Sequence, residues 1–307
     1  MDVLVTGGSG MIGGYVVREL LAHLHRVTVF SRSPQALEGV GLFAGDVLEI
    51  AQLKAACRGK DAIVHLAAIP NLRRSPPEQV LQVNVMGTIH VLEAAVQEGV
   101  GQVVLASSNA ATGYWRQHHI PPDYLPLDEE HPCRPRDAYA LSKCLNEQTC
   151  RSYTAAHGLR TICLRIAGGK YLDRPGASLV VPSEDWGAAT VEELWGRFLA
   201  ALDRPAAGRW SFWVYVDARD VAAAVRLALE NEVVEHGTYF LSAADSFSRL
   251  ESSALLERFF PEVPVRGNVS GYATLVSHGK AARELGYAPR YSWRDCAYLQ
   301  NTRKHGG

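Results

Sequence analysis

The chain opens on an apolar run, Val3-Leu4-Val5, followed at once by glycines at 7, 10 and 13. A segment from Tyr15 to Ala22 then carries its apolar positions at helical spacing. That order predicts strand, tight turn and helix. Short apolar runs recur at Arg26–Phe30, Gly41–Ala44, Ala62–Ala68, Gln102–Ala106 and Arg160–Ile166 and read as five further strands. Helical periodicity fills most of the intervals. It is clearest from Pro77 to Glu98, where Val80, Val83, Gly87, Val91 and Ala94 or Ala95 mark one face and Gly99 supplies a stop. A second long helix is predicted from Asp137 to His157, ending at Gly158. Parallel strands need helix-sized crossovers, so this alternation predicts an α/β fold: a doubly wound parallel sheet, helices on both faces, and a ligand at the carboxyl ends of the strands.

Beyond Ile166 the pattern loosens into Gly, Pro and isolated aromatics as far as Arg209, with one helical stretch at Val191 to Leu202. Regularity returns with the apolar run Trp210–Val216, a helix from Arg219 to Asn231, and the run Thr238–Leu241, which is expected to rejoin the sheet. Two more helices are predicted at about 249–259 and 277–285. Residues 1–167 and 210–244 are therefore expected to form a dinucleotide-binding Rossmann domain. Residues 168–209 and 245–307 would make a smaller substrate-binding lobe.

Composition narrows the chemistry. With 307 residues, 47% hydrophobic and 21% charged, the chain can bury a large core. A net charge of −1 without a long basic run lacks the electrostatic footprint of a nucleic-acid binder. No apolar stretch approaches the roughly 20 residues that span a bilayer, and the glycine turn at position 7 leaves no room for a signal peptide. A cytoplasmic protein acting on a small molecule is expected. The six cysteines include no C-x-x-C, so neither a zinc site nor a disulfide framework is indicated.

Three stretches carry chemistry. Glycines in the first turn let the backbone bend sharply and approach a pyrophosphate, which then meets the positive end of the following helix. In Tyr139-Ala-Leu-Ser-Lys143, the tyrosine and lysine lie one turn apart on one helix face. A free tyrosine has a pKa of ~10, but a neighbouring cation and an oxidised nicotinamide both favour its phenolate, which can take a proton from an alcohol. Ala106-Ser-Ser-Asn109 follows the fifth strand directly, at the end of the sheet where a hydroxyl can hold the substrate oxygen.

With these in place the chain resembles the extended short-chain dehydrogenase/reductases, a family of NAD(P)-dependent sugar epimerases, dehydratases and reductases. Thr6-Gly-Gly-Ser-Gly-Met-Ile-Gly13 is similar to its TGxxGxxG, Gly45-Asp-Val47 to its GD motif, and His65-Leu-Ala-Ala68 to its HLAA strand end. Asn84-Val-Met-Gly-Thr88 is similar to its NxxGT helix and Tyr139 to Lys143 to its YxxxK; Val216–Val221 and Lys280–Tyr287 resemble late motifs. The resemblance implies that Tyr139 is the acid/base, that Lys143 holds the nicotinamide ribose and lowers the tyrosine pKa, and that Ser108, rather than Ser107, is the catalytic serine. It implies a cofactor set of Gly7, Gly10, Met11, Ile12, Asp46, Val47, Leu66, Ala67 and Asn84 with Tyr139 and Lys143. Ser108 and Asn109 would meet the substrate. His65 reads as a satisfied buried histidine, and no metal is expected.

NAD-preferring relatives usually carry an acidic residue at the second strand's end, where this chain has Phe30-Ser-Arg-Ser33. Arg32 can pair with a 2′-phosphate, so NADP is the expected cofactor and NAD the alternative. Asn109 and Ala110 stand where dehydratases place an acidic pair, so dehydration is not expected. Ser107–Tyr114 and Ser142-Lys-Cys144 resemble the uronate dehydrogenase branch, which implies hydride transfer with a sugar or sugar acid. Two alternatives stay open. A nucleotide-sugar epimerase would oxidise its substrate transiently, although the asparagine usual after the sixth strand is missing from Leu164–Lys170, leaving Arg209 or Arg266 to meet phosphates. A non-catalytic NADP-sensing regulator would not need Tyr139, Lys143 and Ser108 together. The helices at 77–98 and 137–157 are expected to form the homodimer contact common in relatives.

Overall fold

A computed structural model describes residues 1–35, 37–70, 75–114, 120–173 and 202–295. Its sheet contains β1 (Asp2–Thr6), β2 (Arg26–Ser31), β3 (Val40–Ala44), β4 (Ala62–His65), β5 (Gln102–Ser108), β6 (Arg160–Ile166) and a final strand, His236–Leu241. All pairings are parallel, in the order β3-β2-β1-β4-β5-β6 followed by the final strand. The doubly wound sheet expected from the alternation is therefore present. The order reverses between β1 and β4, and the crevice at that switch point is where such sheets bind ligands.

Alternation along the strands assigns the two faces. Val3 and Val5 of β1, Val64 of β4 and Leu164 of β6 pack with Val16, Val17 and Leu20 of α1 (Met11–Ala22) and with the helix Ala218–Glu230. Leu4, Ile63, Leu105 and Cys163 point the other way, against α2 (Ile50–Cys57), α4 (Gly87–Gln97) and α5 (Ala138–His157). Leu20 is fully buried; burial of such a side chain contributes about 1.5–3 kcal/mol. Period-two strands between amphipathic helices thus generate two core layers and fix the register.

One expectation meets a different geometry. The uninterrupted helix read over 77–98 consists of α3 (Pro77–Leu81), a π-helical turn at Gln82–Met86, and α4. The cause lies at Asn84, whose carbonyl is claimed by Thr88 Oγ1 at 2.7 Å and Asn146 Nδ2 at 2.9 Å. Side-chain donors compete there with the helical pattern, and the widened turn seats a buried asparagine. The run Trp210–Val216 adds no strand to the main sheet. Arg209–Ser211 forms a 3-10 turn, Phe212 and Trp213 are left-handed, and only Val216, with Asp217, pairs with Gly169–Lys170. Phe212, Trp213 and Val214 join a third core with Leu255, Phe259, Phe260 and Leu275, so their apolar character reflects that core and not a sheet.

Of the stretch Val191–Leu202, residues 191–201 lie outside the described residues. The last predicted helices are observed at Ser252–Phe259 and Gly279–Leu285. Among the described residues no helix is long and apolar enough to cross a membrane.

Candidate active site

The site begins at the glycine turn. Gly7 has φ +72°, and a Cβ there would lie 2.7 Å from Ala67 N; at Gly13 it would lie 2.4 Å from Gly7 O. Both positions are closed to a side chain by backbone that cannot yield cheaply. Gly10 donates its N–H to Gly7 O at 2.9 Å and caps α1 without any side chain, and the first helical bond runs from Gly14 N to Gly10 O. The N–H groups of Met11, Ile12 and Gly13 thus have no intrahelical acceptor and face the turn, as an anion site requires.

The neighbouring strand ends close around this turn. Leu66 N donates to Thr6 O at 3.0 Å, and Gly7 N donates to Phe30 O at 3.0 Å. Arg32 is exposed in the loop after β2, beside a contact of Ser9 and Ser31 hydroxyls at 3.2 Å. Asp46 Oδ1 accepts from Leu48 N at 3.0 Å, which fixes the loop after β3. The glycines of two motifs have packing causes: a Cβ on Gly45 would meet the Phe30 ring at 2.5 Å, and one on Gly87 would meet Val47 Cγ2 at 2.8 Å.

Asn84 is 1% exposed and its amide is fully engaged: Oδ1 accepts from Ile69 N at 2.7 Å, and Nδ2 donates to Ile69 O at 3.0 Å and Ser142 Oγ at 3.1 Å. It therefore shapes the loop after β4. His65 hydrogen-bonds with Thr6 Oγ1 at 2.7 Å and Thr88 Oγ1 at 3.1 Å. Burial, with Lys143 adding to it, pushes its pKa down to about 3, so it is a neutral strut. Among the described residues no His, Cys, Asp and Glu group suits a metal.

Ser108, Tyr139 and Lys143 converge at the end of β5. Asp137 caps α5 by accepting from Ala140 N at 2.7 Å, which places Tyr139 in the first turn. The Ser108 hydroxyl lies beside the Tyr139 phenol, near enough to act on its charge. Its oxygen accepts from Ala110 N at 3.2 Å and it reaches Asn109 Oδ1 at 3.4 Å. Asn109 is thus brought to the candidate serine. Lys143 Nζ lies 5.8 Å from the Tyr139 ring centre and donates to Ala106 O at 2.8 Å. Burial pushes the Tyr139 pKa up, and the neighbouring Ser108 hydroxyl pulls it down. Burial also pushes Lys143 down, to about 8. In this state the lysine is spent on a backbone carbonyl, and Ser108 is the group that favours the phenolate.

Sequence reasoning missed Glu147 and Arg165. Glu147 accepts from Ser107 Oγ at 2.5 Å and pairs with Arg165 through bonds of 2.9 and 2.8 Å. That contact occupies Ser107 and leaves Ser108 facing the tyrosine. The signal was available: Tyr139, Lys143 and Glu147 recur every four residues on one helix face.

Residues 3–168 match the model of the NAD dependent epimerase/dehydratase family. The UDP-glucose 4-epimerase of Corynebacterium glutamicum is 29% identical over 95% of this chain and 92% of its own length. The uronate dehydrogenase of Pseudomonas putida is 32% identical, over 53% of this chain and 59% of that protein. A solved short-chain dehydrogenase/reductase superfamily protein from Agrobacterium tumefaciens, with bound NAD, aligns over 99% of this chain and 98% of its own with a TM-score of 0.72 at 22% identity, which establishes a shared fold. With its family model covering more than half its length, this chain belongs to the NAD dependent epimerase/dehydratase family.

Proposed function

We propose that the protein is an NAD(P)-dependent oxidoreductase acting on a secondary alcohol or ketone of a sugar or sugar acid. The observation that carries this reading is the gathering of Ser108, Tyr139 and Lys143 at the carboxyl end of β5, with Lys143 Nζ 5.8 Å from the Tyr139 ring centre. The glycine cradle, closed to any Cβ at Gly7 and Gly13, fits a dinucleotide, with the free N–H groups of Met11 and Ile12 meeting its phosphates. Asp46, Val47, Leu66 and Ala67 would line its adenosine and nicotinamide sides. A bound nicotinamide supplies the hydride acceptor or donor. Ser108 holds the substrate oxygen, Asn109 orients the sugar beside it, and Tyr139 Oη takes or gives the proton. The Lys143 ammonium, turned from Ala106 O toward a ribose, would stabilise the phenolate.

Arg32, with no carboxylate in Phe30–Ser33, supports NADP over NAD. Residues 168–209 and 245–307 are assigned to the substrate lobe. Leu141 and Leu145, 38% and 40% exposed on α5, with Met86 at 43%, support a homodimer through these helices. With no membrane helix among the described residues, we assign the protein to the cytoplasm. Epimerisation is the second reading, favoured by the near full-length likeness to a UDP-glucose 4-epimerase.

The test offers sugars, uronates and nucleotide sugars with NAD+ or NADP+ and follows reduced-nicotinamide absorbance together with product stereochemistry. Net accumulation with one class identifies a dehydrogenase, its substrate class and its cofactor. A stereochemical change without accumulation identifies the epimerase. Cofactor binding with neither outcome supports the sensing regulator and refutes both.

A further inference from the structure

Glu147, Arg165 and Ser107 lie beside the catalytic groups, yet the chemistry assigned above uses none of them. Glu147 is 5% exposed and sits one turn beyond Lys143 on α5. Its carboxylate accepts three hydrogen bonds, from Ser107 Oγ and from Nε and Nη2 of Arg165. Ser107 adjoins Ser108 on β5, and Arg165 is its register partner on β6. Lys143 Nζ reaches the same strand at Ala106. One carboxylate therefore ties the strand carrying Ser108 to the helix carrying Tyr139 and Lys143.

Buried ion pairs are weak sources of stability, and well-packed apolar residues often do as well or better. This pair is also incompletely satisfied, since Arg165 Nη1 is buried with no hydrogen-bond partner among the described residues. A costly arrangement located directly under the catalytic groups has a more direct explanation in positioning. We propose that Glu147 is a positioning residue for the Ser108–Tyr139–Lys143 apparatus, locking β5 against α5 through Ser107 and Arg165 and placing a carboxylate one helical turn from Lys143.

The charges around Lys143 agree. Tyr139 and Glu147 face it from its own helix, His65 from β4 and Cys163 from β6, while Arg165, Cys133 and Cys144 surround Glu147. Burial drives Lys143 toward neutrality, and Glu147 is the largest influence opposing it, ahead of Cys163. Without Glu147, the lysine would lose its proton at a lower pH and be less able to hold a ribose hydroxyl or a phenolate.

This inference rests on the functional reading for Lys143, but its principal test needs no substrate. The protein is labelled with 13C-lysine, the Lys143 Cε resonance is assigned by its loss in Lys143→Arg, and its titration is followed by NMR. Glu147→Gln is expected to move the midpoint down by about one pH unit. Should the unpaired Arg165 unfold that variant, Glu147→Gln/Arg165→Met removes both charges, and a smaller downward shift is expected, because loss of the guanidinium offsets part of the effect. Glu147→Asp, which keeps the charge and shortens the reach, is expected to retain the wild-type midpoint. With a turned-over substrate, Glu147→Gln should lower kcat about tenfold with KM nearly unchanged. An unchanged midpoint in both Gln-containing variants, or wild-type kcat in a folded Glu147→Gln protein, overturns the proposal. Absence of turnover in the wild type would instead refute the functional reading, while the titration still decides this one.

Discussion

Gly13 and Gly14 are neighbours in the first turns of α1, and their alanine variants should behave in opposite ways. A Cβ on Gly14 meets nothing within 4 Å, so Gly14→Ala adds helix propensity without a clash. The expected gain is roughly 0.5–1 kcal/mol. A Cβ on Gly13 would stand 2.4 Å from Gly7 O and 2.7 Å from Gly8 O, against an ordinary contact of at least 3.4 Å. The start of α1 would have to retreat by about 1 Å, and overpacking of this kind costs ~1–3 kcal/mol. Offset by the same propensity gain, Gly13→Ala should lose up to about 2 kcal/mol. For a chain of 307 residues this separates the two melting temperatures by a few degrees, at about 1.5 °C per kcal/mol. The retreat also withdraws the N–H groups of Met11 and Ile12 from the pyrophosphate. Cofactor affinity should then fall at least about tenfold, or ~1.4 kcal/mol, in Gly13→Ala and change little in Gly14→Ala. Thermal unfolding with and without NAD, and cofactor titration by calorimetry, read both quantities. Wild-type affinity and a raised Tm in Gly13→Ala would refute the cradle argument.

Three further outcomes are expected. His65 is held neutral with a pKa near about 3, against ~6.5 in an unfolded chain, so the stability it contributes is present above pH ~6.5 and is lost as pH falls toward 3, by up to ~1.4 kcal/mol per unit. Thermal melts of His65→Gln should show a shallower acid loss than the wild type; parallel slopes would contradict this. Ser108→Ala should reduce kcat by about 10²–10³ and Ser107→Ala far less, because Ser107 is bonded to Glu147 and only Ser108 meets Tyr139; equal losses would sink the assignment. Arg32→Glu should shift preference toward NAD, measured as the ratio of kcat/KM with the two cofactors, and an unchanged ratio would remove Arg32 from the cofactor site.

The central strands were legible because each is a short apolar run between helical segments, and parallel strands buried on both faces have that signature. The glycine turn and the Tyr139–Lys143 pair were legible because their geometry is local. Features set by distant partners were not. The π-helical turn at Asn84 depends on Asn146, 62 residues away, claiming its carbonyl, and residues 212–214 are apolar because they pack on 255–275. Glu147 has a signal in its four-residue spacing from Lys143, but its partner Arg165 reads as one polar residue in a strand until β6 and α5 are brought together. The role of Lys143 also needed the structure. Proximity to Tyr139 was visible in the spacing, but not its bond to Ala106 O or the depth of its burial.

The central claim is that Tyr139 moves the proton that accompanies hydride transfer. Its most direct test is a rapid-mixing experiment in which protein and oxidised cofactor meet a sugar substrate, and reduced-nicotinamide absorbance is followed for wild type and Tyr139→Phe at matched cofactor saturation. The account predicts a reduction phase in the wild type, whether the reduced cofactor leaves or returns its hydride, and a phase at least about 10² slower in Tyr139→Phe. Equal reduction rates in the two proteins would contradict it.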